Sequence, residues 1–155
     1  MVKEILFDVF AEEDMEVRRA SMLALSRVPG MDVFERLVGA LFDTDWRIRA
    51  AAVTALGMRA DRDALSYLHR ALDDPDPYVQ QSAVHALERI PDRSSFPHLF
   101  KAMESAAFLD DVSDVFVKHK ELYRDLLEEA WRTADSRREV VIAAILQSMK
   151  KKDEG

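Results

Sequence analysis

The stretch from Asp45 to Gly57, DWRIRAAAVTALG, decides the fold of this 155-residue chain. Asp45 stands where a side-chain carboxylate can accept hydrogen bonds from the free backbone N–H groups at the start of a helix. Apolar residues follow at helical spacing, and most of them are small: Ile48, Ala51, Ala52, Ala55 and Leu56. The stretch therefore predicts a helix whose small apolar side chains let neighbouring helices approach closely.

The same pattern recurs on both sides of this stretch at an interval of 31 residues. Each copy holds a first helix, a short turn such as Val28-Pro29-Gly30, and a second helix such as the one from about Asp63 to Leu72. A hairpin this short cannot bury its apolar face alone, so the copies must stack. Eight positions agree across three copies without a gap: Asp14/Asp45/Asp76, Val17/Ile48/Val79, Ala24/Ala55/Ala86, Leu25/Leu56/Leu87, Phe34/Leu65/Phe96, Leu37/Leu68/Leu99, Ala40/Ala71/Ala102 and Leu41/Leu72/Met103.

The Asp45–Gly57 stretch, together with Asp74-Pro-Asp-Pro-Tyr-Val79, resembles the HEAT-like repeat of the phycobilisome-lyase type. The pattern of that family reads Asp, then Val-Arg, then Ala-Ala, then Ala-Leu-Gly. The resemblance covers roughly residues 1–105, and the third copy departs from it at Gln80 and Glu88. It implies an all-α, right-handed α-solenoid, an armadillo-like superhelix of helical hairpins.

The two ends of the chain differ from the regular copies. Residues 1–10 fit the template of a second helix, without a first helix before it. The 31-residue register is lost after Glu104, although helical patterns continue at about 108–117, 120–133 and 136–149. We therefore predict one HEAT-like repeat domain over 1–155, with regular repeats in 1–105, a degenerate repeat and C-terminal cap in 106–149, and a frayed tail in 150–155.

Composition narrows the possible classes of protein. The net charge of -7 argues against nucleic-acid binding as the main activity. The absence of cysteine excludes disulfides, thiolate metal sites and a cysteine nucleophile. No apolar run is long enough to span a membrane and no secretory signal is evident, so we expect a cytoplasmic protein.

No motif in the sequence supplies reaction chemistry. Some HEAT-like enzymes bind two irons through repeated His-Glu dipeptides, and this chain contains none. The acidic clusters at 73–76 and 110–114 fit helix capping. The resemblance implies that Arg18 and Arg49 form structural ladders with Asp side chains between repeats. We expect no catalytic residue, no metal and no cofactor.

The outward positions of the second helices are the predicted binding surface, because the resemblance places these helices on the concave side. Arg36, Tyr67 and His98 share one outward column, and Arg70 and Lys101 share the next. We define these five residues as the concave strip, which would suit an acidic protein or peptide. Trp46, on the opposite face, is the alternative anchor for a partner.

These features favour a scaffold or adaptor that binds a protein partner and is not an enzyme. Two alternatives stay open: a subunit of a bilin lyase or isomerase, suggested by the family name, and a nucleic-acid-binding HEAT-like protein. The apolar helix at residues 1–10 also suggests a homodimer through the N-terminal end. Phe7 lies in a column that should face a preceding repeat, and we expect it to lie uncovered because the sequence has no repeat before it.

The column of Leu25, Leu56 and Leu87 generates a prediction about stability. We expect Leu56→Ala to lower the free energy of unfolding by roughly 2–5 kcal/mol, because transfer energy is lost and a cavity is left. Thermal or urea unfolding measures the effect. A melting temperature equal to that of the parent protein would show that Leu56 is not in the core.

Overall fold

The computed structural model describes residues 2–10 and 14–152. Within these residues the protein is entirely helical, and no β-strand occurs. Two short 3-10 helices, Arg62–Ala64 and Arg93–Ser95, lead into α5 and α7. The α-helices are α1 (Val2–Phe10), α2 (Met15–Leu25), α3 (Met31–Ala40), α4 (Trp46–Arg59), α5 (Leu65–Ala71), α6 (Pro77–Arg89), α7 (Phe96–Ala102), α8 (Leu109–Lys118), α9 (Lys120–Arg132) and α10 (Ser136–Lys151). The predicted class, an α-solenoid of helical hairpins, is confirmed.

The chain divides into two compact units. The first ends at Ile90 and contains α1 to α6, and the second begins at Pro91 and contains α7 to α10. The third repeat copy is therefore shared between the units, since its first helix is α6 and its second helix is α7. None of the helices formed by residues 2–10 and 14–152 is long and apolar enough to cross a membrane.

The first unit is organised around α4, which packs against α2, α3 and α6. The predicted leucine column is confirmed, because Leu25, Leu56 and Leu87 are each 0% exposed. Val17 departs from its column: it is 39% exposed, whereas Ile48 is 0% exposed. Val17 lies in the first turn of α2, whereas α4 packs against first helices on both sides, α2 and α6.

Aspartate caps begin the first helices of the three copies, as the sequence predicts. Asp14 accepts hydrogen bonds from the backbone N–H groups of Glu16 and Val17 at 2.9 and 3.0 Å. Asp45 and Asp76 each accept the N–H group two residues further along at 2.9 Å. These bonds satisfy donors that have no partner within the helix. Each cap therefore fixes the residue at which a repeat begins.

The core of the second unit is aromatic. Phe116 and Tyr123 are fully buried, with ring centroids 5.2 Å apart in an edge-to-face arrangement. The Tyr123 hydroxyl donates to the backbone carbonyl of Asp92 at 3.0 Å, so the one polar atom of this ring is satisfied. Phe108 is also buried.

The C-terminal helices lie within two residues of the positions that the apolar periodicity predicts. The tail differs from the prediction, because Lys150 and Lys151 still belong to α10. Lysines in the last turn of a helix interact favourably with its negative end, which explains the extension. Residues 153–155, the rest of the predicted tail, lie outside the described residues.

Gly57 on α4 lies in close contact with Ala86 on α6. A Cβ atom at this position would lie 2.6 Å from Ala86 Cβ and 2.7 Å from Ala86 Cα. Contacts this short do not occur between real carbon atoms, so only glycine fits without movement of the helices. The glycine of the repeat pattern thus sets the spacing between successive first helices.

We expect Gly57→Ala to lower the free energy of unfolding by about 1–2 kcal/mol, because overpacking outweighs the gain in helix propensity of about 1 kcal/mol. Gly39→Ala is the matched control, since a Cβ atom there meets nothing within 4 Å. That control should be stabilised by about 0.4–1 kcal/mol. Chemical unfolding of the three proteins tests the pair, and equal stabilisation by both substitutions would contradict the close approach.

Candidate partner-binding surface

Three residues of the predicted concave strip lie in the first unit. Arg36 on α3 and Arg70 on α5 are exposed, as expected. Tyr67 is half-buried and packs edge-to-face on Phe34, with ring centroids 6.3 Å apart. The outward direction predicted for Tyr67 is therefore correct only in part, because the ring also serves the core.

His98 and Lys101 are exposed on α7, in the second unit. The five residues of the concave strip are thus divided between the units, three in the first and two in the second. Their joint action on one partner stays a prediction.

Both arginines of the first unit lie over aromatic rings. The guanidinium carbon of Arg36 is 4.2 Å from the ring centroid of Phe7, and that of Arg70 is 5.5 Å from the ring centroid of Phe42. Phe7 is half-buried under Arg36, so the N-terminal ring that was expected to lie uncovered has a partner within its own chain. The homodimer through this end stays a prediction.

Arg49 and Asp74 form an ion pair that connects successive repeats. Arg49 donates from Nε to Asp74 Oδ2 and from a terminal nitrogen to Asp74 Oδ1, both at 2.9 Å. Its other terminal nitrogen donates to the Asp43 carbonyl at 2.9 Å. One repeat earlier, Arg18 donates to Asp43 Oδ2 at 2.8 Å. The arginine ladder implied by the resemblance is confirmed, although its acceptors lie two residues before the capping aspartates.

The third copy keeps part of this ladder without an arginine. Gln80 stands where Arg49 stands one repeat earlier, and its amide donates to the Asp74 carbonyl at 2.5 Å. Glutamine therefore preserves the contact with the backbone of the connecting turn and gives up the bidentate ion pair.

Burial and hydrogen bonding act in opposite directions on the Asp74 carboxyl group. Burial raises its pKa, but the hydrogen bonds from Arg49 and from the backbone N–H of Asp76 lower it by more, so the net pKa lies below the ordinary 3.8. The hydrogen bond to Asp74 raises the pKa of Arg49. Both groups are therefore charged at neutral pH and neutralise each other.

A pocket of about 160 Å³ lies between α4, α5 and α6 in the first unit. Its apolar wall is formed by Leu41, Val53, Ala71 and Val79. Its polar wall is formed by the Arg49–Asp74 pair, and Tyr67, Arg70 and Phe42 complete the lining. Phe42 is 61% exposed. No feature of the sequence singled out Phe42, because it falls in a turn between two copies.

The first-helix face of the first unit carries a separate groove of about 410 Å³. Trp46 stacks on Tyr78 there, with ring centroids 5.1 Å apart and an interplanar angle of 22°. Arg47 is paired with Asp45, whose pKa this hydrogen-bonded partner lowers to about 2. Trp46 therefore packs on the next repeat and is still 38% exposed.

The second unit has a pocket of about 410 Å³ between α7, α8 and α10. Arg138 forms an ion pair there with Glu104. Its Nε atom also lies 4.0 Å from Oδ2 of Asp135, the capping residue of α10. The described residues contain no group of three or more His, Cys, Asp or Glu side chains arranged to hold a metal ion.

Residues 34–113 match the family model for HEAT repeats, which covers more than half of the chain. The chain belongs to the HEAT repeat family. A search of curated proteins finds no match. Among solved structures, the chain is similar to one in the complex of CpcE and CpcF of phycocyanin lyase from Nostoc sp. PCC7120, with 20% sequence identity and a TM-score of 0.71.

This similarity covers 97% of the chain and 66% of the solved chain, so the protein spans slightly less than two thirds of that relative. It corrects one expectation. We took a HEAT-type stack without reaction motifs to mean that the chain is not an enzyme. That expectation is wrong, because the same fold over nearly the whole chain occurs in a lyase complex. A repeat fold without a motif is no evidence against an enzymatic role.

The Asp74 carboxylate makes stability depend on pH. The folded pKa of Asp74 lies below 3.8. Its contribution to the free energy of unfolding is therefore fully present above about pH 5 and is lost as pH falls through this lower pKa. Asp74→Asn should cost about 1–3 kcal/mol at pH 7, because Arg49 loses its charged acceptor. The difference in the free energy of unfolding between the parent protein and Asp74→Asn should shrink below about pH 4.

Thermal unfolding from pH 3 to pH 7 measures this dependence. The control is Glu16→Gln, which removes the exposed ion pair with Arg19 and should barely change the melting temperature. A difference in melting temperature between the parent protein and Asp74→Asn that stays constant from pH 3 to pH 7 would contradict the lowered pKa of Asp74.

Proposed function

We propose that this chain is a subunit of a lyase-type enzyme complex that acts on a bilin-bearing protein together with a second subunit. The observation that carries the proposal is the similarity to a chain of the CpcE–CpcF complex over 97% of this sequence. This reading replaces the scaffold as the leading function and keeps the protein partner that the repeat fold favours.

The surfaces of the first unit suit a subunit that holds another protein. The arginines of the ladder are paired with aspartates and connect one repeat to the next. Exposed aromatic and cationic side chains remain on both faces, with Arg36, Arg70 and Phe42 on one and Trp46 and Tyr78 on the other. Aromatic residues and arginine are the side chains that most often carry binding energy at protein interfaces.

A chromophore-transfer assay tests the proposal. The purified chain is mixed with apo-phycocyanin and free bilin, with and without each HEAT-repeat protein encoded in the same genome. We expect bilin that survives denaturing electrophoresis to appear on the acceptor only when this chain and one second subunit are both present. Release of bilin from loaded phycocyanin is followed in the same mixtures, because a lyase accelerates both directions.

Two controls make the result specific. Each subunit is omitted in turn, and the chain is replaced by a heat-unfolded sample. Size-exclusion chromatography of the active mixture should show the two subunits eluting together. The proposal fails if no second subunit forms a complex with this chain and bilin transfer proceeds equally fast when this chain is omitted.

A further inference from the structure

Arg70 is an exposed cation that the fold does not use. Within residues 2–10 and 14–152, its guanidinium group makes no ion pair and lies over the Phe42 ring, whose centroid is 5.5 Å from the guanidinium carbon. The other two charges of the 160 Å³ pocket, Arg49 and Asp74, neutralise each other through two hydrogen bonds. The lining of the pocket therefore carries one net positive charge, which belongs to Arg70.

The size of the pocket limits what can enter it. Its volume is about 160 Å³, and a cavity of about 150 Å³ is known to accept a benzene-sized group. One side chain of a partner fits, whereas a whole helix or a large planar ligand does not. The apolar wall of Leu41, Val53 and Val79 lowers the local dielectric constant, which strengthens a hydrogen-bonded charge pair at the rim.

The chemistry of the guanidinium group selects the partner's side chain. Arginine presents a planar fork of donors that matches a carboxylate through two parallel hydrogen bonds. The Phe42 ring, 5.5 Å from the guanidinium carbon, lies within the distance of a cation–π contact with Arg70. The 61% exposed ring of Phe42 offers an apolar contact beside the charge.

We infer that the pocket bounded by Tyr67, Arg70 and Phe42 receives an acidic side chain of a partner protein, and that a bulky apolar residue next to it packs on Phe42. The inference rests on the proposed function in that the partner is the second subunit of the complex. It narrows the predicted concave strip to a single pocket that recognises an Asp or Glu residue.

The test pans one random peptide library in parallel on the parent protein, on Arg70→Gln and on Arg27→Gln. Arg27 is the control, because it is an exposed arginine of the same unit that lies outside the concave strip and does not line the pocket. We expect the parent protein and Arg27→Gln to enrich peptides with an acidic residue beside a bulky apolar one. Arg70→Gln should not enrich them.

A double-mutant cycle with the best peptide measures the pair directly. Replacing its acidic residue by the amide should weaken binding to the parent protein by about tenfold or more, and should change binding to Arg70→Gln little. Unchanged melting temperatures show that the variants are folded, as expected for exposed residues.

Four outcomes would overturn the inference. Three are peptides enriched without acidic residues, an equal loss of binding in Arg27→Gln and Arg70→Gln, and no enrichment on the parent protein over Arg70→Gln. Displacement of the best peptide by free glutarate at equal concentration would also overturn it, because the pocket would then read a small carboxylate. The panning needs no second subunit or bilin, so a failed transfer assay bears on the proposed function alone.

Discussion

The approach of α4 to α6 at Gly57 and Ala86 is the contact on which the first unit depends. A hairpin with helices of 7 to 14 residues exposes too much apolar surface to be stable alone. Stacking solves this only if successive first helices lie close enough for Leu25, Leu56 and Leu87 to be covered completely. Glycine and alanine at the crossing allow that distance, and the bulk of the leucines fills the remaining space.

The connecting turns then fix how one repeat follows the next. Asp43 and Asp74 each accept an arginine from the preceding first helix and a backbone N–H group from the turn. The charges of Arg18 and Arg49 are therefore neutralised by aspartates of the connecting turns. The same ladder builds one wall of the pocket beside Arg70, so the charge available to a partner is the one that the repeat does not need.

The absence of a reaction motif does not decide whether a repeat protein is an enzyme. Repeat sequences are dominated by positions that stack hairpins, and those positions are shared by binding proteins and by enzyme subunits. The likeness to a chain of a lyase complex over 97% of this sequence therefore removes the expectation that the chain is not an enzyme and leaves the expected fold unchanged.

The sequence by itself determined the helical class, the repeat interval, the capping aspartates and the buried leucine column, because each follows from spacing along one helix or one hairpin. Only the tertiary structure decided that Asp43 and Asp74 accept the ladder, that Arg36 covers Phe7, that Trp46 stacks on Tyr78 and that Phe42 borders a pocket. These contacts join residues about 25 to 32 positions apart or lie in turns without periodicity. Their partners depend on side-chain direction and on the distance between hairpins, which no pattern within one copy specifies.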